Sequence, residues 1–258
     1  MDKCKPRKIE YLVFYEKLNN KNWKKIEYYV RLKFFVLSKK AISIFVCFIL
    51  CLLGVILYFS SSKQTFQPVA NVIVIDAGHG GQDGGAVGRT GVTESFLNLQ
   101  YAKELKKLCQ NAGFNVVMTR IDMSGLYSPL AQNKKKSEME KRKSIIDSSD
   151  ARCVVSLHMN SFPSSSTRGA QVFYRAGSES GKAFATCVQN KLTNEIDFSK
   201  KECSAGDYFV LNCTDKPAIL VECGFLSNQE EETLLCDEAY RSKFCNALLK
   251  GIINFFEM

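Results

Sequence analysis

The chain has 258 residues, of which 46% are hydrophobic and 24% charged, and its 35 basic and 26 acidic side chains leave a formal charge of +9. It is too apolar for intrinsic disorder, and 16 glycines with 5 prolines exclude a collagenous or low-complexity chain. The basic excess points away from nucleic acid as a partner, because residues 1–40 contain twelve of the basic and four of the acidic side chains, leaving residues 41–258 close to neutral.

Residues 1–40 read as a basic cytoplasmic tail. Within it Trp23, Ile26, Val30, Phe34 and Leu37 recur at helical spacing among lysines and arginines, a pattern that suits either an amphipathic helix on an anionic membrane or a solvated topogenic tail. Residues 41–59 follow as nineteen uncharged positions, broken only by Ser43 and Gly54. As a helix that run extends roughly 28 Å, the thickness of a bilayer's hydrocarbon core, and it predicts a single transmembrane helix. It is longer than a signal-peptide core and no A-x-A site follows, so it reads as an uncleaved signal anchor. Lys39 and Lys40 abut one end and only Lys63 lies near the other, which places the N-terminus inside the cytoplasmic membrane and the rest outside. Residues 60–69 read as a polar linker, and residues 70–258 as a catalytic domain.

In that domain, strands are expected at 71–76 (NVIVID), 114–120 (FNVVMTR), 153–158 (CVVSLH), 169–174 (GAQVFY) and 218–222 (AILVE). Helices are expected at 96–111, 137–148, 181–194 and 238–256. Continuous apolar strands alternating with helices predict an α/β fold, with a mostly parallel or mixed central sheet and helices on both faces.

The chain has only two histidines: His79 follows the first strand in DAGHGG, and His158 ends a later one in SLHMNS. Glu222 closes a third in VECG. Open α/β sheets gather ligands at the carboxyl ends of their strands, so these residues mark one site. Two imidazoles and a carboxylate suit Zn2+ with an open position for water. Glu94, after the glycine-rich stretch 80–91, can supply the carboxylate; Asp76 and Asp83 compete with it, and spacing does not choose among them. Asn160 is a further residue for orienting a ligand or substrate.

Taken together, DAGHGGQDGGAVG, TES, SLHMNS and VECGFLSN resemble, in this order, the zinc-dependent N-acetylmuramoyl-L-alanine amidases (amidase type 3) of bacterial cell walls. The resemblance runs from about Val72 to the C-terminus. It implies that His79, Glu94 and His158 bind zinc and that Glu222 is the catalytic glutamate; by their positions near these residues, Asp76 reads as a further support for a ligand, and Asn160 either as such a support or as part of a strand-end turn. It also implies peptidoglycan as the substrate, cleaved between N-acetylmuramic acid and L-alanine. A membrane anchor followed directly by a bare amidase domain is most similar to the spore-cortex type, which helps form muramic δ-lactam. Some relatives also depend on an activating protein partner.

Two other readings accommodate the same residues: a zinc carboxypeptidase acting on wall peptides, and a non-catalytic, membrane-tethered protein that binds or regulates the wall. The family commonly has proline where this chain has Ala77, and relatives often carry a basic residue at the position of Asn212. Lys134, Lys135, Lys136, Lys141, Arg142 and Lys143 read as a solvated helix face in preference to a surface for anionic wall polymer. Of eleven cysteines, eight fall in the domain without a C-x-x-C motif, and they are expected to be mostly free and buried. The pair Cys203 and Cys213 is the one local candidate for a disulfide.

Overall fold

The computed structural model describes residues 42–54 and 71–258. The expected tail at 1–40 and linker at 60–69 lie outside the described residues. Of the expected transmembrane segment, residues 42–54 form a helix with exposed side chains, and the remaining positions lie outside. No helix among the described residues is long and apolar enough to cross a membrane.

Residues 71–258 form an α/β fold around one six-stranded mixed sheet. Its strands are β1 (Val72–Ala77), β2 (Asn115–Met118), β3 (Cys153–Asn160), β4 (Gln171–Tyr174), β5 (Ser204–Ala205) and β6 (Ala218–Phe225). They lie in the order β2-β1-β3-β6-β4-β5. The pairs β1–β2, β1–β3, β3–β6 and β4–β5 are parallel, and β4 runs antiparallel to β6. The helices are α1 (Glu94–Asn111), α2 (Lys134–Asp147), α3 (Glu179–Glu195), α4 (Phe209–Asn212), α5 (Gln229–Cys236) and α6 (Glu238–Phe256). Every expected strand and helix of the domain is present; β5, α4 and α5 are too short to produce a periodic signal.

Side-chain alternation along the strands assigns two different jobs to the two sheet faces. Ile73, Ile75, Val155, Leu157, Ile219 and Val221 pack on one side with Tyr101, Leu105, Phe184, Leu192 and Phe244 of α1, α3 and α6 in the main core. On the opposite side Val74, Val154 and Leu220 pack with Ile146 of α2 and Val210 and Leu211 of α4. The strand positions that follow on this second side are Asp76, Ser156, His158 and Glu222, all polar. One face is therefore apolar throughout, while the other changes from oil to chemistry toward the carboxyl ends of β1, β3 and β6.

Helix starts are set locally. The side chains of Asn133, Ser178, Asn228 and Asp237 accept from the backbone N–H of Lys136, Gly181, Glu231 and Tyr240 at the starts of α2, α3, α5 and α6. Asn228 is the last residue of the VECGFLSN motif, so this capping bond accounts for it structurally.

Candidate metal centre

His79, Glu94 and His158 each offer a ligand atom, and these atoms all lie within 4.8 Å of one another. His79 leaves β1 with φ of 60°, a left-handed backbone uncommon for a residue with a Cβ. His158 stands near the end of β3, and Glu94 is the first residue of α1. The Glu94 Oε1 atom lies 2.8 Å from His158 Nδ1 and 3.2 Å from His79 Nε2, and it accepts from the Met159 N–H at 3.2 Å. The Ala86 N–H donates to Glu94 Oε2 at 2.9 Å. The two imidazole rings meet edge to face, with centroids 5.1 Å apart. Of the three carboxylates that spacing left open, Glu94 is the one that lies between both histidines, while Asp76 and Asp83 occupy the positions described below.

Two glycines make the cluster possible. A Cβ at Gly78 would overlap the His158 imidazole, and one at Gly85, where φ is 68°, would run into the Glu94 carboxylate. The glycine-rich loop thus serves close approach to the cluster.

The donor set fits a zinc ion. Two imidazole nitrogens and one carboxylate oxygen converge from three separate elements, and they match the nitrogen and oxygen donors that zinc takes at sites keeping a position open. Burial acts to raise the Glu94 carboxyl, but bonds from His158 and then His79 outweigh it and hold the group below the usual carboxylate range. Asp83 lies 2.9 Å from His79 Nδ1, a contact that is electrostatic rather than a well-directed hydrogen bond. Against the opposing effect of burial, Lys135 and His79 bring Asp83 down to about 2.

Glu222 is paired in register with His158 on the neighbouring strand. Burial pushes its carboxyl up to about 7, with the Glu94 charge adding to the effect and the histidines opposing it. Its Oε2 atom has no hydrogen-bond partner. One carboxylate is thus held ionised and its neighbour is held near neutrality, a division that suits a ligand beside a proton carrier. A pocket of about 120 Å³ reaches both histidines and is also lined by Asp76, Tyr208 and Leu220, among others.

The sequence model for N-acetylmuramoyl-L-alanine amidases matches residues 73–254, spanning all of these positions. The chain belongs to this amidase family. A germination-specific N-acetylmuramoyl-L-alanine amidase of Bacillus subtilis is 32% identical over 209 residues, covering 77% of this chain and 87% of that protein. The CwlD amidase from Clostridioides difficile, solved in complex with the GerS lipoprotein, is similar at 34% identity and a TM-score of 0.69, covering 72% of this chain and 98% of that one. The catalytic domain of the CwlV amidase from Bacillus (Paenibacillus) polymyxa is similar at 30% identity and a TM-score of 0.65, with coverage of 72% and 98%. The chain is therefore an N-acetylmuramoyl-L-alanine amidase of the cell wall, and the carboxypeptidase and non-catalytic readings are set aside.

In the amidase one residue of the basic run departs from the expected solvated face. Arg142 is buried rather than solvated, and so is Glu138 one helical turn before it. The Arg142 guanidinium pairs with Asp76 and donates to Glu138 Oε1 at 2.8 Å. Asp76 also accepts from Thr119 at 2.7 Å and Ser156 at 2.6 Å. Burial opposes its ionisation, but Arg142 and these two hydroxyls keep its pKa below the ordinary value. The signal lay in the helical spacing of Glu138, Arg142 and Ile146, which form the buried residues of α2. Other basic residues of this stretch do face outward: Lys135 pairs with Asp83, Lys136 with Glu140 and Lys143 with Asp147.

The Asn160 side chain accepts from the adjacent Ser161 N–H at 2.8 Å, and its carbonyl accepts from Leu226 at 2.8 Å. These bonds close the strand-end turn. The Asn212 amide donates to Asp207 at 2.7 Å, and the residue lines a separate hollow with Arg175 and Gly206. All eight cysteines of the domain are free thiols. Cys203 packs on the main-core side and Cys213 on the opposite side of the sheet, which excludes the bridge between them. Cys223, next to Glu222, points into the main core, as strand alternation requires.

Proposed function

We propose that this amidase is a zinc enzyme in which His79, Glu94 and His158 hold the metal and Glu222 carries the proton. The convergence of three ligand atoms beside the paired strand position of Glu222 is the observation that supports this reading. Zinc bound there supplies Lewis acidity toward the scissile carbonyl and the attacking water. Glu222 takes a proton from that water as its oxygen bonds to the lactyl carbonyl carbon, and passes it to the alanine nitrogen as the C–N bond breaks. The products are the lactyl carboxylate of the glycan and a stem peptide with a free alanine amine. Asp76 acts from below the site, through the backbone of the loop carrying His79.

The enzyme works, in this proposal, on the outer side of the cytoplasmic membrane, held by a single helix over residues 41–59 with the N-terminus inside. The uncharged run, the basic residues before it and the exposed apolar side chains of residues 42–54 support that placement. The substrate is spore-cortex peptidoglycan, a reading supported by similarity to the germination-specific Bacillus subtilis amidase. Because the similar Clostridioides difficile amidase was solved with a lipoprotein, a lipoprotein is the proposed partner here as well.

The test is digestion of purified cortex and vegetative peptidoglycan side by side, with the muropeptides and bound metal analysed. Release of alanine amines with about one zinc per chain, faster on cortex, is expected. Equal rates on both walls would remove the spore assignment, and full activity without zinc would remove the metal.

A further inference from the structure

Ala77, Gly78 and His79 present three consecutive carbonyl oxygens, and two buried guanidinium groups hold all of them. Arg120 donates to Ala77 O at 2.9 Å and to Gly78 O at 2.9 Å. Arg142 donates to Ala77 O at 3.0 Å and to His79 O at 2.7 Å. The backbone just here is turned into a conformation that side chains disfavour, with φ of 60° at His79. Arg142 is itself fixed on both sides by carboxylates: Asp76, anchored by Thr119 and Ser156, and Glu138 on its own helix.

We infer that Arg142 is a positioning residue for His79, holding the strained loop backbone so that the imidazole faces Glu94 and His158. The inference rests on the metal reading given above. Arg142, not Arg120, grips the carbonyl of His79 itself. Its planar fork reaches Ala77 O and His79 O while also meeting Asp76 and Glu138. A lysine at this position restores the positive charge between the two carboxylates, but its single ammonium cannot span the same acceptors. Charge compensation and loop geometry are therefore separable.

The experiment uses the full chain in mild detergent, stripped of metal and titrated with Co2+, comparing the unsubstituted protein with Arg142→Lys. Affinity comes from the titration, and ligand geometry from the visible absorption of bound cobalt. Arg142→Lys is expected to keep the far-ultraviolet circular dichroism of the fold, to bind cobalt about 10–100-fold more weakly and to change the visible bands. A folded Arg142→Lys protein with unchanged affinity and bands overturns the inference, even if it unfolds at a lower temperature, since a merely structural role predicts that pattern. Should Arg142→Lys fail to fold, the near-isosteric Asp76→Asn loosens the same guanidinium. It is expected to weaken cobalt binding severalfold, and unchanged binding there also overturns the inference. If the unsubstituted protein binds no cobalt, the metal reading fails, and this inference falls with it.

Discussion

Glu222→Gln separates what burial does to this side chain from what the side chain does in catalysis. In the unfolded chain a glutamate ionises near 4.5, whereas in the fold burial moves Glu222 to about 7. Its contribution to stability is thus complete below 4.5 and is lost as pH rises toward 7, because folding then requires the carboxyl to bind a proton that the unfolded chain has released. The difference corresponds to about 3 kcal/mol, reached by pH 8. Glutamine keeps the shape and never ionises, so it escapes this loss. Its amide brings one more donor than the protonated carboxyl to a place where Oε2 already has no partner, an added cost of about 1–3 kcal/mol that does not depend on pH. Urea unfolding of both metal-free proteins from pH 4.5 to 8 measures the two effects apart. The constant cost sets the offset, and Glu222→Gln gains about 3 kcal/mol on the unsubstituted protein across the range. In the same preparations, loaded with zinc, turnover of muropeptides is expected to fall about 10²–10⁴-fold. A stability difference that stays flat with pH refutes the argument that burial retains the proton, and an active variant refutes the proton-carrier role.

Three other outcomes test the surroundings of the site. Gly85→Ala places a methyl group against Glu94 in left-handed backbone, and should cost about 1–2 kcal/mol in urea unfolding together with at least about tenfold in cobalt affinity; wild-type affinity would mean that Glu94 is not a ligand. Phe184→Ala empties a fully buried site stacked 4.6 Å from Phe255, and should destabilise by about 3–5 kcal/mol while leaving turnover per folded molecule unchanged, because α3 covers the face opposite Glu222. Burial pushes the Cys109 thiol up to about 12 and the thiols of Cys153, Cys223 and Cys245 above their ordinary value. Iodoacetamide at pH 8 followed by mass spectrometry should therefore modify exposed Cys236 and spare those four until the protein is denatured; early modification of Cys223 would contradict its place in the main core.

The sequence by itself determined the α/β class, the strands that carry His79, His158 and Glu222, and the edge where they meet. Strand periodicity is a local property: NVIVID, CVVSLH and AILVE each state which residues alternate and where the apolar run stops. The apolar run at 41–59 is equally local. Glu94 was harder to read, because its approach to His158 spans 64 positions and depends on a glycine loop folding back over the sheet. Only the tertiary structure decided that Arg142 lies buried in a lysine-rich helix, and that Cys203 and Cys213 lie on opposite sides of the sheet. A guanidinium can be buried only where opposite charge and carbonyl oxygens surround it, and those of Asp76 and His79 come from 66 and 63 residues away. No window of sequence contains both halves of that contact, so the packing of α2 across β1 brought it into being.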